Sequence, residues 1–247
     1  RKYKEKVDFV LAIGDLSRKW HVMNGYSNSK IFDYCYVVNN QYERESIPVQ
    51  NQSIKNGLVK VAFVGRLAEG KNVDLLFNVI SQVEERKWYL DVIGSGELLN
   101  TFKNLSLNLK INTKVSFLGT LNNSDVFNKL RDIDVLVLPS HWDGWGAVVN
   151  EALVSGVPVV CSDFCGAADL VKNNELYGDV FITDSVDSLK KCLNKQIGKG
   201  PLTRYKREKI KQYSSSFNGL SVADYLVNII KFIDKQSYIR PIAPWNK

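Results

Sequence analysis

The 247-residue sequence has few of the side chains that usually bind zinc, with only two histidines and four cysteines. The cysteines are not spaced as in any common zinc-binding pattern, and His21 and His141 lie far apart. We therefore expect no metal site. We also expect the four thiols to be reduced, as is usual for proteins of the cytoplasm.

Long apolar segments are also missing. No stretch reaches the ~18 consecutive apolar residues that indicate a membrane-spanning helix, and no secretory signal peptide is visible. The sequence opens at Arg1 rather than at a methionine, and we expect it to be part of a longer protein. Its apolar content of 45% and charged content of 24% are typical of a globular protein.

Negative charge is in the minority, with 26 acidic residues against 33 lysines and arginines and a net charge of +7. Such a balance suits an anionic small ligand, an anionic membrane surface or nucleic acid. Residues 195–211 are the most basic stretch, and either a solvated surface or a membrane-surface patch would explain them. The cations are not interleaved with aromatic residues, so we predict no nucleic-acid binding.

Short apolar runs alternate regularly with helical patterns from residue 58 onward. This alternation predicts an α/β fold, a Rossmann-like doubly wound parallel sheet with flanking helices. A helix is predicted over 185–194, and a final amphipathic helix is predicted over 217–235. The predicted strands cover 58–64, 88–93, 114–118, 134–138, 158–162 and 179–182.

The flanking regions have a different character. Residues 1–38 predict a strand at 7–14, a helix and a second strand at 31–38. The polar stretch 39–57 lacks apolar periodicity and contains Pro48, so it is predicted to be a linker. We expect the main domain to cover 58–235 and the remainder, 236–247, to be a tail.

Two acidic residues follow the fourth strand of this domain. Asp143 precedes the turn Gly144-Trp145-Gly146, and Glu151 lies in the second turn of the helix that follows. Unpaired amides near Gly146 and Ala147 favour an anion, and the glycines permit close backbone approach. The carboxylate in the body of the helix does not suit the anion itself, but it can accept hydrogen bonds from hydroxyl groups nearby. The stretch therefore indicates a ligand that carries both phosphates and sugars.

The loop after the first strand, Gly65 to Asn72, contributes two cations. Arg66 can bind two phosphate oxygens at once, and Lys71 adds a mobile positive charge. Taken alone, the two could equally be solvated surface residues. Since parallel strands present their following loops at one sheet edge, we expect both cations to face the acidic loop.

Three more glycines belong to the same predicted edge. Gly94 and Gly96 follow the second strand, and Gly119 follows the third. Tight turns would explain them, as would close approach of a nucleotide base. Cations, amides, acids and small residues together are the mixture that a nucleoside diphosphate sugar requires.

The order of these motifs resembles the carboxyl-terminal, donor-binding domain of retaining GT-B glycosyltransferases of family 4. The similarity runs through GRL-x3-KN, GSGE, FLG and LPS-x3-DGWGAVVNEALVSGVPVV. The E-x7-E motif of that family is present here as Asp143-x7-Glu151. Two departures are aspartate in place of the first glutamate and the sequence CGAADL, with Asp169, where the family often has two glycines before a glutamate.

The resemblance implies a hexosyltransferase that acts with retention and needs neither metal nor cofactor. A nucleoside diphosphate sugar, with UDP or GDP, would be the co-substrate, and a glycan or lipid-linked molecule the acceptor. Surface polysaccharide synthesis, in the cytoplasm or at the inner membrane, would be the setting. The implied catalytic residues are Asp143 on the transferred sugar, Glu151 on the ribose, and Arg66 and Lys71 on the diphosphate. The implied donor-binding residues are Gly65, Gly94, Gly96, Gly119, Gly144, Trp145, Gly146, Ala147 and Val148.

The resemblance also implies that residues 1–38 are the remnant of an amino-terminal acceptor domain. This chain alone would then bind a donor but transfer poorly. A non-catalytic nucleotide-sugar-binding module is the alternative. A dinucleotide oxidoreductase would need G-x-G-x-x-G after the first strand, which GRLAEGKN does not supply. Both a sugar contact and a loop-packing role stay open for His141, Trp142 and Trp145.

Overall fold

The computed structural model describes residues 4–38, 57–83 and 87–246. Most of the predicted linker, residues 39–56, lies outside these ranges. The strands are β1 Val10–Ile13, β2 Ile31–Tyr34, β3 Val59–Val64, β4 Trp88–Ile93, β5 Val115–Gly119, β6 Val135–Leu138, β7 Val159–Ser162 and β8 Gly178–Phe181. The helices are α1 Gly14–Met23, α2 Val73–Ile80, α3 Leu99–Asn108, α4 Asn123–Leu130, α5 Ala147–Val154, α6 Val186–Gly198, α7 Arg204–Ser214 and α8 Gly219–Ile233.

Six strands form one parallel sheet in the order β5-β4-β3-β6-β7-β8. The chain moves outward from β3 to β5, then returns to β6 beside β3 and continues outward to β8. The predicted doubly wound α/β fold is confirmed. The direction of winding reverses between β3 and β6, so the loops after these strands leave in opposite directions and open a crevice at their carboxyl ends.

Helices cover both faces of this sheet, which explains why its strands are apolar at nearly every position. One core contains buried residues of α2, α3 and α6, including Phe77, Phe102 and Leu193. The other contains buried residues of α4, α5, α7 and α8, such as Phe127 and Ile210. Each large side chain buried in this way stabilises the fold by about 1.5–3 kcal/mol.

The amino-terminal residues form a separate two-stranded parallel sheet, in which β1 pairs with β2 and α1 connects them. This small unit shares the second core through Phe32 and Cys35. A very close approach joins it to the main unit, since a Cβ atom on Gly14 would lie 2.6 Å from the carbonyl oxygen of Gly166. Assignment of residues 1–38 to an acceptor domain stays a prediction.

In the segment predicted as a tail, residues 236–247, a few of the described side chains pack against the protein. The Trp245 indole is only 3% exposed and meets the Tyr225 ring edge-on at 5.8 Å. Arg240 lies over the Phe32 ring at 4.2 Å, and the Asn246 amide donates to Asp33 at 3.1 Å. The segment therefore links α8 to the small unit.

Candidate functional site

A lysine and an aspartate meet across the crevice between β3 and β6. Lys71 ends a 3-10 turn, Glu69–Lys71, after β3, whereas Asp143 lies in the loop after β6. Lys71 Nζ lies 2.7 Å from Asp143 Oδ2, with the two side chains 28% and 17% exposed. The structure thus brings together two residues that were predicted to share one edge.

The Asp143 carboxylate is held in place by its surroundings. Ser140 Oγ donates to the same oxygen at 3.0 Å. The Asp143 amide donates to the Phe164 carbonyl, and its own carbonyl accepts from the Gly166 amide, each at 3.1 Å. These backbone bonds tie the acidic loop to the segment after β7, so little movement of Asp143 is expected.

The start of α5 lies directly beyond this loop. Gly146 has a φ of +85°, and no side chain caps the helix. A Cβ atom at Gly146 would lie 2.7 Å from Cys165 Sγ, which donates to the Trp145 carbonyl at 3.0 Å. Ala147 is exposed and Val148 half-buried. Uncapped amides and the helix dipole make this end of α5 a favourable place for an anion.

The two tryptophans of the loop have different environments. The indole of Trp145 is buried, and its Nε1 donates to Asn150 Oδ1 at 2.7 Å. It is therefore a loop anchor rather than a surface on which a sugar could stack. Trp142 is 66% exposed. Asn150 was not singled out from the sequence, although a buried asparagine in an apolar helix signals a specific partner. Its amide also donates to the Tyr36 carbonyl at 3.0 Å.

Glu151 lies in α5 one turn after Ala147, on the same helix face. It is half-buried, and this burial raises the pKa of its carboxyl group. Within the described ranges its side chain has no hydrogen bond or ion pair. Glu151 is thus an acceptor that a ligand hydroxyl could use.

Arg66 is paired with an acid of the neighbouring loop. Its Nη2 atom lies 3.2 Å from Glu97 Oε2, and the two side chains are 72% and 56% exposed. The pKa of Glu97 is lowered by a hydrogen bond from the backbone amide of Glu97 itself and by the nearby Arg66 guanidinium. No contact joins Arg66 to Lys71 or Asp143 in the described structure, so the two predicted cations do not converge on one point here.

The glycines after β3 and β4 allow two loops to touch. A Cβ atom at Gly94 would lie 1.9 Å from the Gly65 carbonyl oxygen, and one at Gly96 would lie 2.3 Å from that of Leu67. Loop packing alone therefore explains both residues. Gly119 has a φ of +70° and open space where a side chain would be. A Cβ atom at Gly144 would meet only the Trp142 ring, at 3.5 Å.

Three further polar residues join the loops of the sheet edge. His141 Nδ1 lies 2.5 Å from Asp184 Oδ1, and the Asn72 amide donates to the same oxygen at 3.0 Å. His141 thus contacts a neighbouring loop in this structure, and its proposed sugar contact stays a prediction. The sequence analysis did not identify Asp184 and Asn72 as residues that join these loops. Their positive φ angles of 62° and 51° are of the kind that aspartate and asparagine adopt more readily than most residues.

Asp169, the departure in CGAADL, pairs with Lys172 at 2.7 Å, and burial raises the pKa of the Asp169 carboxyl group.

Residues 4–38, 57–83 and 87–246 contain no group of three or more His, Cys, Asp or Glu placed to hold a metal ion. None of the helices in these ranges combines the length and apolar character that crossing a membrane requires.

Curated proteins of three organisms resemble part of the sequence. An uncharacterized glycosyltransferase of Methanocaldococcus jannaschii is 32% identical over 131 residues, 53% of this chain and 32% of that protein. The Escherichia coli UDP-Gal:alpha-D-GlcNAc-diphosphoundecaprenol alpha-1,3-galactosyltransferase is 31% identical over 140 residues, which cover 55% of this chain and 35% of that protein. The sulfoquinovosyl transferase SQD2 of Arabidopsis thaliana is 26% identical over 159 residues, covering 62% and 30%. The chain thus spans about a third of the length of these relatives.

Solved structures show the same fold. The apo form of the lipopolysaccharide outer core galactosyltransferase WaaB superposes with a TM-score of 0.76 at 22% identity, covering 93% of this chain and 62% of that one. Anabaena HepE, solved in complex with UDP and glucose, superposes with a TM-score of 0.69 at 18% identity, covering 91% and 63%. The parallel sheet of six strands with flanking helices matches Rossmann-like GT-B glycosyltransferase neighbours such as WaaB.

The family described as glycosyl transferases group 1 matches residues 45–216, more than half of the sequence. This match includes the loops after β3, β4, β5 and β6. The chain therefore belongs to the glycosyl transferases group 1 family.

Proposed function

We propose that this chain binds the nucleoside diphosphate sugar of a retaining hexosyltransferase. The observation that carries the proposal is the meeting of Lys71 and Asp143 at the switch-point crevice, beside the uncapped start of α5. Open α/β sheets bind nucleotides at this position. The E. coli relative is named for UDP-Gal, and the Anabaena structure contains UDP and glucose. These ligands belong to those two proteins, and they support this substrate class for the present chain.

Each residue has a chemical role in this proposal. Lys71 and Arg66 bind the diphosphate, together with the amides of Ala147 and Val148. Glu151 accepts hydrogen bonds from the ribose hydroxyls, and Asp143 accepts them from the transferred sugar. The remaining predicted positions present backbone to the nucleotide or sugar, namely Gly65, Gly94, Gly96, Gly119, Gly144, Trp145 and Gly146.

The chemistry follows from these charges. As the bond between the anomeric carbon and the diphosphate oxygen breaks, negative charge grows on the departing diphosphate. Cations that already contact the bound diphosphate, together with the helix amides, stabilise that charge, which is why we propose a reaction that needs neither metal nor cofactor. Retention at the anomeric carbon is proposed from the resemblance to family 4.

The acceptor we propose is a glycan or lipid-linked molecule of a bacterial surface polysaccharide pathway. The E. coli relative has a diphosphoundecaprenol acceptor in its name. A cytoplasmic setting with peripheral contact to an anionic membrane would suit such an acceptor, and the exposed cations Arg204 and Lys209 of α7 would supply the contact. Salt-sensitive sedimentation with anionic liposomes would support this contact.

The test is binding of UDP, GDP and ADP and of their glucose derivatives. A nucleotide at one hundred times its Kd should raise the free energy of unfolding by about 2.7 kcal/mol. Lys71→Met should remove most of the nucleotide binding. Lys209→Met is the control, because Lys209 is an exposed residue of α7 outside the proposed site, and it should leave nucleotide binding unchanged. Absence of binding by every nucleotide would reject the proposal.

Catalysis needs a separate test, since a non-catalytic nucleotide-sugar-binding module is the alternative. We expect this chain to bind a donor but to transfer its sugar poorly. In a protein of the length of the relatives, Glu151→Gln should reduce sugar transfer strongly. Transfer that is unaffected by Glu151→Gln would favour the non-catalytic module.

A further inference from the structure

Each proposed diphosphate-binding cation already has a carboxylate partner in the structure. Lys71 is paired with Asp143 at 2.7 Å, and Arg66 with Glu97 at 3.2 Å. Phosphate oxygens would have to compete with these two acids for the same ammonium and guanidinium groups. Binding of a diphosphate must therefore replace at least part of these contacts, which makes the internal acids competitors of the ligand.

The two pairs differ in how much this competition matters. Arg66 and Glu97 are mostly exposed, and exposed ion pairs contribute little free energy. Lys71 and Asp143 are largely shielded from water, and Ser140 Oγ donates to the same Asp143 oxygen that Lys71 contacts. Charges interact more strongly where water is excluded, so the Lys71–Asp143 pair is the significant competitor.

Lys71 is the partner that can move. Asp143 is fixed by backbone hydrogen bonds to Phe164 and Gly166, whereas a lysine ammonium sits on a flexible four-carbon stem. When Lys71 turns toward a phosphate, Asp143 keeps only the Ser140 hydroxyl among its described side-chain partners. Hydroxyl groups of the transferred sugar could replace the lost hydrogen bond. A free nucleoside diphosphate has only its ribose hydroxyls, which the proposed function assigns to Glu151.

We propose that Asp143 competes with the diphosphate for Lys71 and so makes the site discriminate against a nucleoside diphosphate that lacks the transferred sugar. This inference rests on the proposed function and names a specificity role within the same site. Its consequence is that the spent nucleotide is released more readily than the donor, because only the donor compensates Asp143 for the loss of Lys71.

The experiment measures Kd by calorimetry for UDP, GDP and ADP and for their glucose derivatives. With the nucleotide that wild type binds, Asp143→Asn should strengthen binding of the free diphosphate by roughly tenfold, because Lys71 no longer has an anionic partner. Binding of the sugar derivative should gain less or weaken. Glu208→Gln, which removes one negative charge on exposed α7, should change neither constant.

Asp143→Asn in a Lys71→Met background separates competition from a general change in charge. The gain should disappear there, since no lysine is left to release. A gain that persists without Lys71, or no gain in the single variant, would overturn the inference while leaving the proposed function in place. If wild type binds none of the nucleotides, both proposals are rejected together.

Discussion

Glu151 shows a conflict between stability and ligand binding at the scale of one residue. Burial raises the pKa of its carboxyl group, so the folded state binds this proton more tightly than the unfolded state does. As pH rises above the unfolded-state pKa and then through the higher folded-state pKa, the charge forms inside the protein and stability is lost. Glu151→Gln should therefore be more stable than wild type at pH 7, with the difference shrinking toward pH 4.

Urea unfolding from pH 4 to pH 8 would measure this difference in stability. Glu208→Gln is the control, because Glu208 is exposed. The same Glu151→Gln variant should bind the donor about tenfold more weakly or worse, because a charged acceptor is lost. Equal stability of wild type and variant across the whole pH range would contradict the argument about burial.

The sequence predicted which residues lie at the sheet edge better than it predicted their side-chain partners. Lys71 and Asp143 could be placed on one edge because each follows a parallel strand. The pairing of Arg66 with Glu97 could not be foreseen, since it depends on how two exposed side chains orient. The anchor role of Trp145 likewise depends on Asn150, a residue whose burial is decided by tertiary packing.

At the scale of secondary structure, the start of α5 depends on Gly146. Its φ of +85° is unfavourable for other residues, and a Cβ atom there would lie 2.7 Å from Cys165 Sγ and 3.0 Å from Leu138 Cδ2. Gly146→Ala should therefore lower the free energy of unfolding by about 1–3 kcal/mol and weaken nucleotide binding. Denaturant unfolding and calorimetry would measure the two effects.

Gly144→Ala is the matched control for stability, because it lies two residues away and its added methyl group would meet only Trp142, at 3.5 Å. We expect that variant to lie within about 0.5 kcal/mol of wild type. If both variants were equally stable, the strain assigned to the Gly146 turn would be disproved.

Periodicity located the helices, although tertiary packing set some of their ends. Helix α6 was predicted over 185–194 and extends to Gly198. Its buried residues Leu189, Leu193 and Ile197 continue the four-residue spacing, so the longer helix buries one more apolar side chain. Strand β1 is shorter than predicted because only Val10–Ile13 has a partner, in β2.

At the scale of the whole molecule, the winding of the sheet followed from the alternation of strands and helices. Packing of the last residues did not, because their segment is short and its apolar residues follow neither helical nor strand periodicity. Trp245 meets Tyr225 of α8, and Arg240 lies over Phe32 of β2, so the segment contacts two elements that are far apart in the sequence. Contacts of this kind depend on the assembled fold.

Removal of the Trp245 side chain should test how much this packing stabilises the protein. Trp245 is nearly fully buried in the core that also contains Phe32, and truncation of such a residue costs about 3–5 kcal/mol. Trp245→Ala should therefore lower Tm by roughly 10 °C in a chain of this size. Tyr238→Ala, at a side chain that is 94% exposed, is the control and should leave Tm nearly unchanged. If Trp245→Ala melted like wild type in calorimetric scans, residues 236–247 would behave as the tail that the sequence predicted, and the link between α8 and β2 would contribute nothing to stability.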